Sequence, residues 1–141
     1  GDEEEAIATM KKLIKLSPDH APALNFLGYV YAEKGLNLQQ AKDYLARALK
    51  KDANNGFYLD SLGWIYFKLG DYKNAEKHLL KAVKHQPNEG VIYEHLGEVE
   101  IKRKNYAKAI SYFAKALKSR LDKKDRERIE LRYEELKERH S

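Results

Sequence analysis

The sequence predicts an all-α solenoid of antiparallel helix pairs with a C-terminal capping helix, and three observations carry that reading. The first is an internal period. Leu27-Gly28, Leu62-Gly63 and Leu96-Gly97 recur at spacings of 35 and 34 residues, and self-similarity at about 20–50 residues is the mark of stacked supersecondary units. The second is that the phase holds through whole units: Ala41, Leu45, Ala48 and Leu49 match Ala75, Leu79, Ala82 and Val83, and then Ala109, Phe113, Ala116 and Leu117. The third is that apolar residues in each half unit fall at i, i+3, i+4 and i+7, which places them on one face of a helix rather than in the alternation of a strand.

Residues 1–20 form a half repeat. Ala6, Ile7, Met10, Leu13 and Ile14, followed by Ser17-Pro18-Asp19, align with the second helix of a unit, and its first helix is missing. Because repeats bury their apolar faces only against neighbours, this opening reads as a cut from a longer array; the alternative is a natural helix capping the solenoid. Three full units follow, at 21–55, 56–89 and 90–121. Asp19, Asn54 and Asn88 precede their first helices and Asn37, Asp71 and Asn105 their second, all side chains able to accept from an orphan backbone N–H. Gly35 and Gly70 stand where a left-handed residue would end a first helix. Gly28, Gly63 and Gly97, opposite Ala41, Ala75 and Ala109, permit close approach of the two backbones. The first unit carries one extra residue in its turn, around Leu36 to Gln40. Residues 122–141 read as a charged capping helix that docks through Ile129, Tyr133 and Leu136 and needs no partner to explain its polar outer face.

The pattern resembles the tetratricopeptide repeat family. The cleanest unit reads Leu62, Gly63, Tyr66, Ala75, Leu79, Ala82, Pro87. Leu24, Leu59 and Tyr93 stand where that family often has Trp, Glu100 replaces the aromatic present as Tyr31 and Tyr66, and Ala53 and Leu121 replace the closing Pro. The stretch from Asn55 to Ala75 is most similar to units of large bacterial members. The resemblance implies a right-handed superhelix with a concave groove lined by the first helices.

Composition narrows function. At 141 residues the chain suits one domain. No apolar run approaches the roughly 18–20 residues that cross a bilayer, so membrane insertion is not expected. The absence of cysteine excludes a disulfide framework, a thiolate zinc site and a cysteine nucleophile, and leaves cytoplasm and cell envelope both open. The net charge of +5 is spread along the chain with no basic block, which argues against nucleic acid. No G-x-G-x-x-G or Walker loop is present. His20, His78, His85, His95 and His140 lack metal-ligand spacing, and no serine has a nucleophile-elbow context. Neither enzymatic activity nor a cofactor or metal is expected.

The expected function is protein–protein interaction. By the resemblance, groove positions fall at Asn25, Tyr29 and Ala32; Asp60, Trp64 and Phe67; and Glu94, Glu98 and Ile101, with Phe57, Lys68 and Lys102 at the border. This is an aromatic centre with carboxylates along one side, suited to a polypeptide segment bearing apolar anchors and some basic residues. Trp64 is either an anchor for that segment or filler for the seam between first helices. Relatives that bind chaperone C-termini use a clamp of Lys, Arg and Asn. Asn25 occupies one such position, but its companions fall on Tyr29, Ser61, Val91 and His95, so the clamp is absent. The second expectation is self-assembly into homo-oligomers through the exposed edge of the half unit. Similarity to large bacterial members suggests a fragment of a scaffold protein.

Overall fold

Residues 1–140 are described by a computed structural model with eight helices: α1 (Asp2–Leu16), α2 (Ala21–Lys34), α3 (Leu38–Lys51), α4 (Gly56–Lys68), α5 (Tyr72–His85), α6 (Gly90–Lys102), α7 (Tyr106–Leu117) and α8 (Lys123–His140). Turns of three residues join α2 to α3, α4 to α5 and α6 to α7, short enough to force antiparallel neighbours. The first helices touch one another, α2 with α4 and α4 with α6, whereas α3 and α5 pack principally on the first helices that flank them. That arrangement is an α-solenoid with an inner layer of first helices and an outer layer of second helices.

The three hairpins close with the same hydrogen bonds. Gly35 N–H donates to Ala32 O and Leu36 N–H to Tyr31 O; Gly70 to Phe67 and Asp71 to Tyr66; Lys104 to Ile101 and Asn105 to Glu100. Each is a Schellman-type ending with its first donor in the left-handed region, at φ 66° for Gly35, 81° for Gly70 and 63° for Lys104. The third turn therefore adopts with a lysine what the first two adopt with glycine. The extra residue of the first unit is taken up at the end of α2, which runs 14 residues against 13 for α4 and α6, and Asn37 before α3 is itself left-handed at φ 51°.

The first helices begin one residue later than the sequence suggests. His20 Nδ1 accepts from Ala23 N–H, and Asn55 Oδ1 accepts from Phe57 and Tyr58 N–H; Glu89 precedes α6 without a side-chain bond. The cause is packing at the helix start. A Cβ on Gly56 would lie 3.0 Å from Ala82 O, and one on Gly90 2.9 Å from Ala116 O, so these glycines are held as the first helical residues and the cap falls immediately before them. Asp71 caps α5 as expected, accepting from Asn74 N–H.

The close-approach glycines work through a neighbour one turn on from the expected alanine. A Cβ on Gly63 would meet Leu79 Cγ at 2.7 Å and Ala75 O at 3.2 Å, and one on Gly97 would meet Phe113 Cε2 at 2.6 Å. Leu45, Leu79 and Phe113 fill these notches and are fully buried. Three apolar clusters follow the stack, each shared with the next element: α2 and α3 with α4, then α5 with α4 and α6, then α7 with α8. In the last, Ile129 and Leu136 are buried and Tyr133 packs beside them, as the helical stripe predicts.

Glu100 departs most from its repeat equivalents. It is fully buried where Tyr31 and Tyr66 sit, and a charge there must be paired. Asn105 Nδ2 donates to its Oε2 at 3.2 Å, and Arg103 bridges it to Glu76 at 3.5 and 3.0 Å.

Candidate functional site

Two adjoining cavities along the inner layer take in the expected groove residues. The larger, about 600 Å³, is lined by Tyr29 and Glu33 from α2, Trp64, Phe67 and Lys68 from α4, Val91, Glu94, His95, Glu98, Ile101 and Lys102 from α6, and Asp125, Arg128 and Arg132 from α8. The smaller, about 250 Å³, is lined by Asn25, Tyr29, Phe57, Asp60, Ser61, Glu89, Val91 and Ile92. The expected groove residues thus divide: Tyr29, Trp64, Phe67, Glu94, Glu98 and Ile101 line the first, Asn25 and Asp60 the second, and Tyr29 joins them. Ala32 is fully buried in the core.

Trp64 organises the centre. Phe67 stacks on its indole at 4.5 Å between centroids and 5° between planes, and His95 stacks at 4.1 Å and 19°; two rings that close and that parallel cannot share one face. Its Nε1–H donates to Glu33 Oε1 at 2.8 Å, satisfying the polar edge that burial would otherwise penalise. Only 8% of Trp64 remains exposed, so it fills the seam between α4 and α6 while presenting an edge to the cavity. Lys68 Nζ lies 5.3 Å from the ring centroid.

Asp60 on α4 and His95 on α6 form a buried pair, Nδ1 to Oδ1 at 2.7 Å. Burial alone would push the imidazole pKa down, but Asp60, with Glu94 and Glu33 behind it, outweighs this and holds it above its ordinary value. The Tyr29 phenol is pushed far up by burial, with the charges of Glu33 and Asp60 adding to the effect. Tyr29 is therefore a neutral wall of the cavity.

The α6 carboxylates are engaged by α8. Arg128 Nε and Nη2 donate to Glu94 at 2.7 Å each, and Arg132 Nε and Nη2 donate to Glu98 at 3.0 Å each. Both are two-point forks, the geometry in which a guanidinium best matches a carboxylate. Their offset of 34 residues equals the repeat, so α8 continues the register of the first helices: Asn25, Asp60, Glu94 and Arg128 form one row and Tyr29, Trp64, Glu98 and Arg132 the next. Arg128, Arg132 and Glu33 are absent from the sequence expectation, and His95 enters it only as a histidine without metal-ligand spacing and as a position where the chaperone clamp would need another residue. The repeat offset was the signal that could have found the two arginines, once carried into 122–141.

Among the described residues no helix is long and apolar enough to cross a membrane, and no group of three or more potential ligands is placed to hold a metal ion.

The chain belongs to the tetratricopeptide repeat family, whose model matches residues 1–56 and 61–125. The TPR repeat-containing protein PA4667 of Pseudomonas aeruginosa is 35% identical over 74 residues, which cover 50% of this chain and 12% of that relative. The chain thus spans about an eighth of that relative's length. Among solved structures, TTC0263, a thermophilic TPR protein of Thermus thermophilus, superimposes with a TM-score of 0.78 at 21% identity, over 92% of this chain and 70% of that one. Pseudomonas aeruginosa PilF also gives 0.78, at 26% identity, over 99% of this chain and 63% of its own. The repeat fold is consistent with a protein–protein interaction module, and proteins of this kind are generally non-enzymatic.

Proposed function

We propose that the chain is an interaction module that takes a polypeptide segment along its inner face, without cofactor or catalysis. The observation that carries this reading is the cavity of about 600 Å³, where half-buried Tyr29, Phe67 and Ile101 offer apolar area beside Glu33, Glu94, His95 and Glu98, which already have partners. Desolvating such a wall costs less than desolvating free charges. The adjoining cavity contributes Asn25, whose Oδ1 is buried without a hydrogen-bond partner among the described residues; a backbone N–H of a bound segment would satisfy it. Pairing of Glu94 and Glu98 with α8 makes apolar anchors, rather than basic side chains, the main requirement on the ligand.

Selection from a random twelve-residue display library tests this reading. The expected binders share two apolar residues, and they lose at least about tenfold in affinity to a Phe67→Ala, Ile101→Ala protein that still melts cooperatively. Failure to recover any peptide whose binding responds to those substitutions would sink it.

A further inference from the structure

The outer layer has a chemistry of its own. Alignment by repeat brings Lys12 of α1, Arg47 of α3, Lys81 of α5 and Lys115 of α7 to one equivalent position, and Lys15, Lys50, Lys84 and Lys118 to the position three residues on. Residues three apart share a helix face, so two parallel rows of cations run across the second helices. All are exposed except the half-buried Arg47. These rows alone exceed the chain's net charge of +5, which leaves the remaining surface net negative. On α5, Lys73 and Lys77 prolong the field along the same face. The corresponding carboxylate on α3 is Asp43, 3.6 Å from Arg47; among the described residues, none of the seven row lysines has an ion-pair partner. Like charges gathered this way repel one another in the free protein, and an anionic counterpart relieves that cost.

Two features favour lipid over nucleic acid as that counterpart. Leucines stand exposed within the field: Leu80, 47% exposed, lies one turn from Lys77 and Lys84, and Leu16, 85% exposed, one turn from Lys12. A phosphate backbone gains nothing from a leucine, whereas the boundary between headgroups and acyl chains does. The cations are also lysines in seven of eight positions, point charges suited to a diffuse anionic layer rather than to the forked reading of bases. The tyrosines near the rows, Tyr44 and Tyr112, are half-buried, each with a cation, Arg47 or Lys115, over its ring.

We propose that this outer face docks peripherally on an anionic lipid surface, with the lysine rows against the headgroups and Leu80 and Leu16 entering their boundary. The groove lies on the inner layer and stays open, so one molecule holds a polypeptide on one side and a bilayer on the other. Nothing in this proposal depends on the groove being occupied.

Cosedimentation with vesicles tests it directly. The protein should bind vesicles of phosphatidylcholine with about 30% phosphatidylglycerol at least about tenfold more tightly than phosphatidylcholine alone, at roughly 50 mM salt. The difference should shrink severalfold at about 0.3 M salt. Lys81→Glu with Lys84→Glu should weaken binding at least about tenfold, Lys81→Gln with Lys84→Gln serving if the glutamate pair perturbs the fold, and Leu80→Ser should weaken it by a smaller factor. Phe67→Ala should leave it unchanged. The proposal is overturned by equal binding to the two vesicle types, by indifference to the lysine substitutions, or by tighter binding to single-stranded or duplex DNA oligonucleotides than to the anionic vesicles.

Discussion

The inner faces of α4 and α6 occupy equivalent places in consecutive repeats, yet they solve the same packing problem with opposite chemistry. On α4, Trp64 stacks with Phe67 of its own helix on one face and with His95 of α6 on the other. On α6, Glu94 and Glu98 stand at the positions of Asp60 and Trp64 and are gripped by Arg128 and Arg132. The difference follows from what lies next in the stack. Between α4 and α6 the seam is closed, and a large flat side chain stabilises it by area. Against α8, a helix dense in charge, the seam is half-wet, and ion pairs make the join. The repeat fixes where a side chain points; the following helix decides which chemistry is useful there.

The largest test of this contrast is Trp64→Ala, which removes the centre of the stack and leaves Glu33 without its donor. We expect a loss of about 3–5 kcal/mol, as for aromatic truncation in a core, insensitive to salt and measured by urea denaturation. The matching change on the other side, Arg128→Ala with Arg132→Ala, should cost only about 1–2 kcal/mol, because both guanidiniums are more than a third exposed and their pairs are screened. That loss should shrink in molar salt, and α8 amides should lose hydrogen-exchange protection first. If the arginine pair costs more than the tryptophan, the contrast is wrong.

The Asp60–His95 pair supplies a smaller, pH-dependent difference. The folded pKa of His95 is raised, so its contribution is fully present below the unfolded value of about 6.5 and is lost as pH rises through the folded value. The melting temperature should therefore fall from weakly acidic to alkaline pH, and Asp60→Asn should flatten that slope. The guanidiniums of Arg128 and Arg132 are held above their ordinary values by Glu94 and Glu98, so the double arginine variant should keep the slope. Histidine ring signals followed by NMR would report the raised pKa directly. The smallest effect belongs to the turns. Lys104→Gly should stabilise by up to about 1 kcal/mol, because glycine removes the cost of a side chain in the left-handed region, whereas Gly70→Ala should destabilise by a similar amount. Thermal melts of both decide it.

Much of this was written plainly in the chain. Gly63, Leu79 and their equivalents fix the hairpins, because a notch and its filler recur at constant spacing and no other arrangement satisfies them all. The positions of Tyr29, Trp64 and Phe67 along the groove come from the resemblance to the tetratricopeptide repeat rather than from the spacing itself. The engagement of Glu94 and Glu98 was legible in neither, since nothing in the alternating charges of 122–140 reads as a repeat until the offset of 34 is carried past α7. The helix starts shifted by one because steric closeness at Gly56 and Gly90, rather than the best capping side chain, sets the first turn. The lysine rows escaped for a related reason: cations placed three and thirty-four residues apart never form a run along the chain, although they form a field on the folded surface.

The stack around Trp64 has a practical consequence. The chain holds a single indole, sandwiched by an imidazole and hydrogen-bonded to a carboxylate at the wall of the cavity. Its emission colour and intensity therefore report on that one spot, so occupancy of the inner face, protonation of the neighbouring ring and loosening of the seam can each be followed optically in the unlabelled wild-type molecule.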